Sequence, residues 1–412
     1  MTTAINEKQN STQLTLVIFI PPGEEEIQII IRYWIRTLKI KLGWVQDFDK
    51  IVVKYVMFIY YLLLSTVFLF MFETFNSFSK LLNNFTVHTK QVSSIDYSTF
   101  NGIQLICSGS SDKTVCVWDI NSNKQLQSLD GHTESVNCAK FSQYYYNKHC
   151  RNIICSASDD NTIRLWDFKH NQQLQLFNEH KDGVYGIEFS SFNSGRYLCS
   201  ASLDNTIHGV LCVDMSPEQS SNNIDDNTSS SVSVIGGNGY TICSGSCDNT
   251  IRIWDIETTK QFIVLKGHTR GVCSVKYGSN RVGNIGCANT ILSGSDDCCV
   301  RLWDIRSGNT IQEFYKHIGT VFAVDYSPFV IKNSIEVVGD NSNVICSGSW
   351  DNTIRFWDIR SNKIELRVIS RYDKDDGVTC YKFVKLKDKV KENENCFHLY
   401  YGSYKGPIYV RG

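Results

Sequence analysis

From about residue 80 onward, apolar and polar residues alternate in short runs bounded by Gly, Ser, Asn and Asp. A period of two predicts half-buried strands; Val136, Cys138 and Phe141 mark one of them. The runs recur in a fixed order. A Gly-His or similar turn (GHTESVNCAKFS at 131–142, GHTRGVCSVKYG at 267–278, KHIGTVFAVDYS at 316–327) leads into an alternating strand. A second strand ends in Ser-Gly-Ser, a turn containing Asp-Asn-Thr follows, and a third strand reads Ile-Arg-x-Trp. Pattern and turn chemistry together predict a β-meander.

The third strand makes the repeat explicit. SGSSDKTVCVWDI (108–120), SASDDNTIRLWDF (156–168), SGSCDNTIRIWDI (244–256), SGSDDCCVRLWDI (293–305) and SGSWDNTIRFWDI (347–359) are near-copies, each carrying Trp-Asp. Self-similarity at roughly 40–50 residues signals a propeller or a solenoid. Aligned on these copies, the chain divides into seven units, about 80–119, 124–167, 173–208, 210–255, 260–304, 310–358 and 363–412. KLLNNFTVHTK (80–90) matches KQLQSLDGHTE (124–134), so the domain starts with an outer strand. The last unit, ending YYGSYKGPIYVRG, has no outer strand of its own, and the first strand is expected to complete it.

The third unit is short. Ile163 to Val184 and Ile251 to Val272 are both 21 positions, whereas Ile207 to Val210 is 3, so about 18 residues are missing. That is most of one strand and all of the next. Losing two strands preserves direction, because neighbours alternate, so a third blade of only two full strands is expected. An Asn/Ser-rich insert (218–233) follows and reads as a disordered loop.

The repeat resembles the WD-repeat family, in which four-stranded blades circle a central channel. The resemblance covers about residues 80–412 and implies an all-β, seven-unit propeller with a truncated third blade. It further implies a buried network in each full unit, joining a turn His, a second-strand Ser, a turn Asp and the Trp. Four units hold all the parts: His88/Asp112/Trp118, His132/Asp160/Trp166, His268/Asp297/Trp303 and His317/Asp351/Trp357. A buried indole, imidazole and carboxylate each need partners, and a mutual network supplies them. A catalytic His-Asp-Ser reading is set aside, because the same trio recurs around the ring for that structural reason.

By the same resemblance, partner proteins or peptides bind the narrow face. The turns there carry Ser111, Asp159, Leu203, Cys247, Asp296, Trp350 and Tyr404, and the starts of the inner strands carry Glu134, Tyr185, Arg270 and Phe322. Trp350 stands out as the only Trp outside the N-terminal region and the Trp-Asp pairs. The plainer reading is that it packs on a neighbouring turn. Of the partner-binding candidates, Trp350, Arg270, Tyr185, Phe322 and Glu134 are the expected contacts.

Residues 1–79 read differently. PPGEEE (21–26) opens a helical pattern through Ile27, Ile30, Ile31, Trp34, Leu38 and Leu42, with acids at its positive end. It fits a helix packed on the propeller or a partner, or one lying at a membrane interface. Tyr55–Phe72 is 18 residues without a charge, in a hydrophobic stretch spanning 51–72; it fits a single transmembrane helix or a buried one. Six Lys/Arg before it against two after it would put the propeller outside.

The cysteines oppose that orientation. Cys107, Cys155, Cys199, Cys243 and Cys346 hold one slot in five of the units, with Leu292 in that slot in another, too far apart to pair, so these five read as small buried residues of a reducing compartment. A cytoplasmic propeller is expected, with the nucleus open to it and a membrane-tethered adaptor as the runner-up. The net charge of -1 offers no basic excess for nucleic acid. No nucleophile motif, phosphate-cradling loop or Cys/His cluster points to catalysis, cofactor or metal. The expected function is a non-catalytic interaction scaffold. A G-protein β-like subunit would need a long N-terminal heptad repeat, and residues 1–80 show none.

Overall fold

Valine opens almost every inner strand and a Ser-Gly/Ala-Ser triplet closes almost every second strand, and packing explains both. A Cβ on Gly109 would fall 2.9 Å from a Val136 methyl; on Gly294, 2.7 Å from Val321; on Gly402, 2.8 Å from Val92. The glycine thus marks where one sheet seats against the first valine of the next.

The computed structural model describes residues 81–190, 195–204, 209–217, 241–278, 290–328, 344–359, 365–370, 376–386 and 397–412. β1 (Leu81–Phe85) comes first. β2 (Val92–Phe100), β3 (Ile103–Ser110), β4 (Thr114–Asp119) and β5 (Lys124–Asp130) form a four-stranded sheet in that order. β6 (Val136–Phe141), β7 (Ile153–Ser158), β8 (Ile163–Asp167) and β9 (Gln172–Phe177) form the next, with a short helix α1 (Gln143–His149) between β6 and β7. β10 (Val184–Phe189) and β11 (Leu198–Ser202) form a sheet of two. Four-stranded sheets then follow from β12 (Val210–Met215), β13 (Thr241–Ser246), β14 (Thr250–Asp255) and β15 (Gln261–Lys266), and from β16 (Val272–Tyr277), β17 (Thr290–Ser295), β18 (Cys299–Asp304) and β19 (Thr310–Tyr315). β20 (Val321–Tyr326), β21 (Val344–Ser349), β22 (Thr353–Asp358) and β23 (Glu365–Ser370) make another. β24 (Val378–Lys385), β25 (Phe397–Ser403) and β26 (Ile408–Arg411) take β1 as their outer strand.

All pairings are antiparallel, and Phe85 of β1 sits opposite Ile408 of β26, so the two ends of the repeat region share one sheet. The inner strands β2, β6, β10, β12, β16, β20 and β24 each touch the next, and β24 touches β2. The ring is therefore closed, and closure leaves no sheet edge at the seam. Apolar cores lie between successive sheets. One of them packs Leu129 with Trp166 and Phe141, another Leu265 with Trp303.

One expectation is corrected and another falls outside the described residues. Six sheets among the described residues are full four-stranded blades, and what was expected as a further unit, the third, is the β10–β11 pair. The helices expected within 1–79 lie outside the described residues, and the only helix described is α1, which the pattern did not predict. Among the described residues no helix is long and apolar enough to cross a membrane; the hydrophobic stretch 51–72 lies outside them.

The fifth residue of every inner strand is charged: Asp96, Lys140, Glu188, Asp214, Lys276, Asp325 and Lys382. Around the ring the signs alternate except between Glu188 and Asp214. An odd ring must repeat a sign once, and it does so where the short sheet meets the next. Lys382 bridges to Asp96 at 3.1 Å and Lys276 to Asp214 at 2.9 Å, while Lys140 pairs with Glu188. Asp96 also accepts the Phe141 N–H at 3.1 Å and Asp214 that of Tyr277 at 2.8 Å. Burial alone would raise the Asp96 carboxyl; Lys382 and Lys140 overcome it and hold it below the usual range.

Candidate functional site on the narrow face

The narrow face stands on the polar networks beneath it. In four sheets a histidine just ahead of the inner strand presents Nδ1 to an Asp carboxylate at 2.8 Å: His88–Asp112, His132–Asp160, His268–Asp297 and His317–Asp351. Nε2 of each meets a second-strand Ser Oγ at 2.7–2.8 Å. The same hydroxyls accept the indole N–H of Trp118, Trp166, Trp303 and Trp357 at 2.8–3.0 Å. These serines are fully buried between imidazole and indole, and their hydroxyls are sealed from solvent.

The aspartate also folds its own turn. Asp160 takes the backbone N–H of Thr162 at 3.0 Å and of Thr133 at 3.0 Å, tying the turn before β8 to the turn before β6. Burial pushes this carboxyl up, but hydrogen bonds from Thr162 and His132 overcome it and bring it to about 2. Asp351 is likewise lowered to about 2 against burial, by His317 above all, and Asp112 and Asp297 lie well below the usual range.

Two further sheets keep part of the network. His180 of the two-stranded sheet bonds Asp204 at 2.6 Å and Ser200 at 2.8 Å, with no indole present, and its side chain is 26% exposed against 0–1% for the four histidines above. The sequence reading passed over it by requiring the Trp. The separation of His180 from Asp204 equals that of His88 from Asp112 and was the available signal. In the next sheet Trp254 donates to Ser244 at 2.9 Å, and Arg252 bonds Asp248 at 2.7 Å on the oxygen that histidine occupies elsewhere.

Above the networks, seven turn residues occupy one equivalent position. The backbone N–H of Ser111, Asp159, Leu203, Cys247, Asp296, Trp350 and Tyr404 each donates to a carbonyl just ahead of an inner strand, at 2.8–3.2 Å. Backbone geometry is thus constant while the side chains differ. Asp159 accepts Asn137 at 2.6 Å, and Tyr185 beside it is half-buried, its hydroxyl pKa raised by burial and then by Asp159. Glu134 is exposed and meets Lys113 at 3.3 Å, a contact worth under about 1 kcal/mol. Arg270 is exposed just ahead of β16.

Trp350 is 45% exposed. Its ring meets Tyr404 edge-on with centroids 4.5 Å apart, and Phe322 at 6.1 Å. Gly319 and Gly377 flank it; a Cβ on Gly377 would fall 2.9 Å from the Trp350 Cα. The indole is therefore both packed on a neighbouring turn and presented to solvent. Of the five expected contacts, the structure brings together Trp350 and Phe322, adds Tyr404, and leaves Tyr185, Arg270 and Glu134 on other sheets. Among the described residues no group of His, Cys, Asp and Glu is arranged to hold a metal ion.

Closed blades with this His-Ser-Trp-Asp network define a WD-repeat propeller. The family model for the WD domain, G-beta repeat, matches residues 79–119, 123–167, 171–209, 208–255, 259–304 and 308–358, and the chain belongs to that family. Among curated proteins it is similar to nuclear distribution protein nudF of Emericella nidulans, 42% identical over 118 residues, which is 29% of this chain and 23% of the relative. It is also similar to nuclear distribution protein PAC1 of Coccidioides posadasii, 35% identical over 121 residues, with 29% and 23% covered. The chain spans less than a quarter of the length of these relatives.

Proposed function

We propose that this protein is a non-catalytic interaction scaffold of the cytosol that takes segments of partner proteins on its narrow face, with Trp350, Phe322 and Tyr404 as the anchor. The observation that carries this is the half-exposed indole held edge-on by two aromatic rings. Such a group gives large apolar contact with little entropy left to lose, the usual make-up of a binding hot spot. Arg270 and Glu134, each two residues ahead of an inner-strand valine, and Tyr185, the second residue of β10, supply polar contacts from other sheets. The sealed serines support a structural role for the networks rather than chemistry. The third, two-stranded sheet is the seventh position of the ring in this reading, reduced at its rim. The relatives' name, nuclear distribution, supplies a cellular setting for such a scaffold.

Affinity capture with the wild type beside Trp350→Ala and Arg270→Glu tests this. Loss of a shared set of partners from both variants, with folding intact by circular dichroism, is the expected result. Retention of every partner by both variants rejects the narrow-face site.

A further inference from the structure

The short sheet leaves a slot whose missing occupant can be specified from the other sheets. β11 pairs with β10, and among the described residues no strand pairs its other edge, whereas β7, β13 and β17 each pair on both sides. Ser200 of β11 holds the network-serine position, yet among the described residues its side chain meets only His180, while Ser156 in that position meets both His132 and the Trp166 indole and Ser244 accepts the Trp254 indole.

Both walls of the slot lack their cover. Phe177 of β9 has the register of Leu129, Leu265, Phe314 and Ile369, all 0–5% exposed, but is itself 36% exposed. Phe314 lies against the Trp357 indole of the following sheet, centroids 5.3 Å apart; the sheet following Phe177 has no Trp. On the opposite wall Trp254 is only half-buried, whereas the other four Trp-Asp indoles are at most 4% exposed. The strand that would cover it is the outer strand the short sheet lacks.

We propose that this slot binds an extended β-hairpin of a partner protein, whose first strand carries apolar-Arg-apolar-Trp-Asp and whose return strand carries an apolar residue opposite the first. The match is residue by residue. The hairpin would add, by main-chain hydrogen bonds, to the β11 edge that no described strand pairs. Its Trp falls opposite Leu198, as Trp166 falls opposite Ile154; the indole donates to Ser200 and covers Phe177. Its Arg falls opposite Ser200 and meets the Asp204 carboxylate, as Arg252 meets Asp248. The return strand covers Trp254. This site lies on the rim, apart from the narrow face.

The test uses the full chain and a synthetic peptide copying its own residues 161–178, NTIRLWDFKHNQQLQLFN, with a second peptide in which the Trp is Ala. Fluorescence anisotropy reads binding, and hydrogen exchange reads the β11 amides. Expected are saturable one-to-one binding, slower exchange over 198–202, and about tenfold weaker binding for the Ala peptide and for the Phe177→Asp protein. Trp350→Ala should bind the peptide as wild type does. Absence of saturable binding, or binding unchanged by both substitutions, overturns the proposal. Self-association of the chain alone, abolished by Phe177→Asp, overturns the choice of a partner protein in favour of a second copy. The two peptides are compared on the same wild-type protein, so this arm stands even if Phe177→Asp does not fold.

Discussion

Arg164 and Cys116 occupy the same place in two otherwise matching networks, and the histidines above them differ as a result. Burial opposes charge on both imidazoles. At His132 burial prevails, Arg164 adds repulsion, and the pKa stays below its ordinary value despite Asp160. At His88 no arginine is present; hydrogen bonds to Asp112 and Cys116 overcome burial and raise the pKa to about 9. A raised folded-state value means the charged pair stabilises the fold fully below the free-imidazole value near 6.5 and is lost as pH rises through about 9. The contribution is of order 3 kcal/mol. NMR titration should therefore find His88 titrating near 9, and urea unfolding should show a stability decrease between pH 7 and 10 that is absent in Cys116→Arg. Serines are the other sensitive residues. Ser293→Ala strands both His268 and Trp303 and should cost about 1–3 kcal/mol in thermal or urea unfolding. Ser200→Ala strands only a partly exposed imidazole and should cost less.

At the scale of elements, the outer-strand residue of one sheet and the Trp of the next form a single packing unit. Phe85 on β1 packs on Trp118 with centroids 4.8 Å apart and is 5% exposed. Phe177 holds the same register without a Trp. Phe85→Ala should thus cost about 3 kcal/mol or more, as a large cavity in a core does, and Phe177→Ala under about 1 kcal/mol. Equal costs in chemical denaturation would mean the slot beside Phe177 is covered. The strands themselves were readable, because alternation, turn residues and the Trp-Asp copies all point the same way. The shortness of the third sheet was readable from the distance between Ile207 and Val210. The charged belt was not, although all seven residues are plain in the sequence. Its alternation runs around the ring, between residues some 25 to 60 positions apart and, where Lys382 meets Asp96, 286 apart, and only the closed fold sets them side by side.

For the molecule as a whole, repetition fixes the architecture and its exceptions fix the candidate sites. The narrow-face turn position is constant in backbone and free in side chain, so each sheet adds one variable group to a shared surface; Trp350 is what this chain places there. That Trp350 was singular could be read from composition. That Phe322 and Tyr404 flank it could not, since Tyr404 reaches it from the following sheet, beside Gly377. The 14 cysteines among the described residues are free, which leaves the ring held by packing and hydrogen bonds. The most direct test of the scaffold reading is photocrosslinking in cells, with benzoylphenylalanine placed at Tyr404 on the narrow face and, separately, at the exposed Leu126 on β5. Partners captured from position 404, and lost when Trp350→Ala is added, are the predicted result. Equal capture from both positions, indifferent to Trp350, would contradict it.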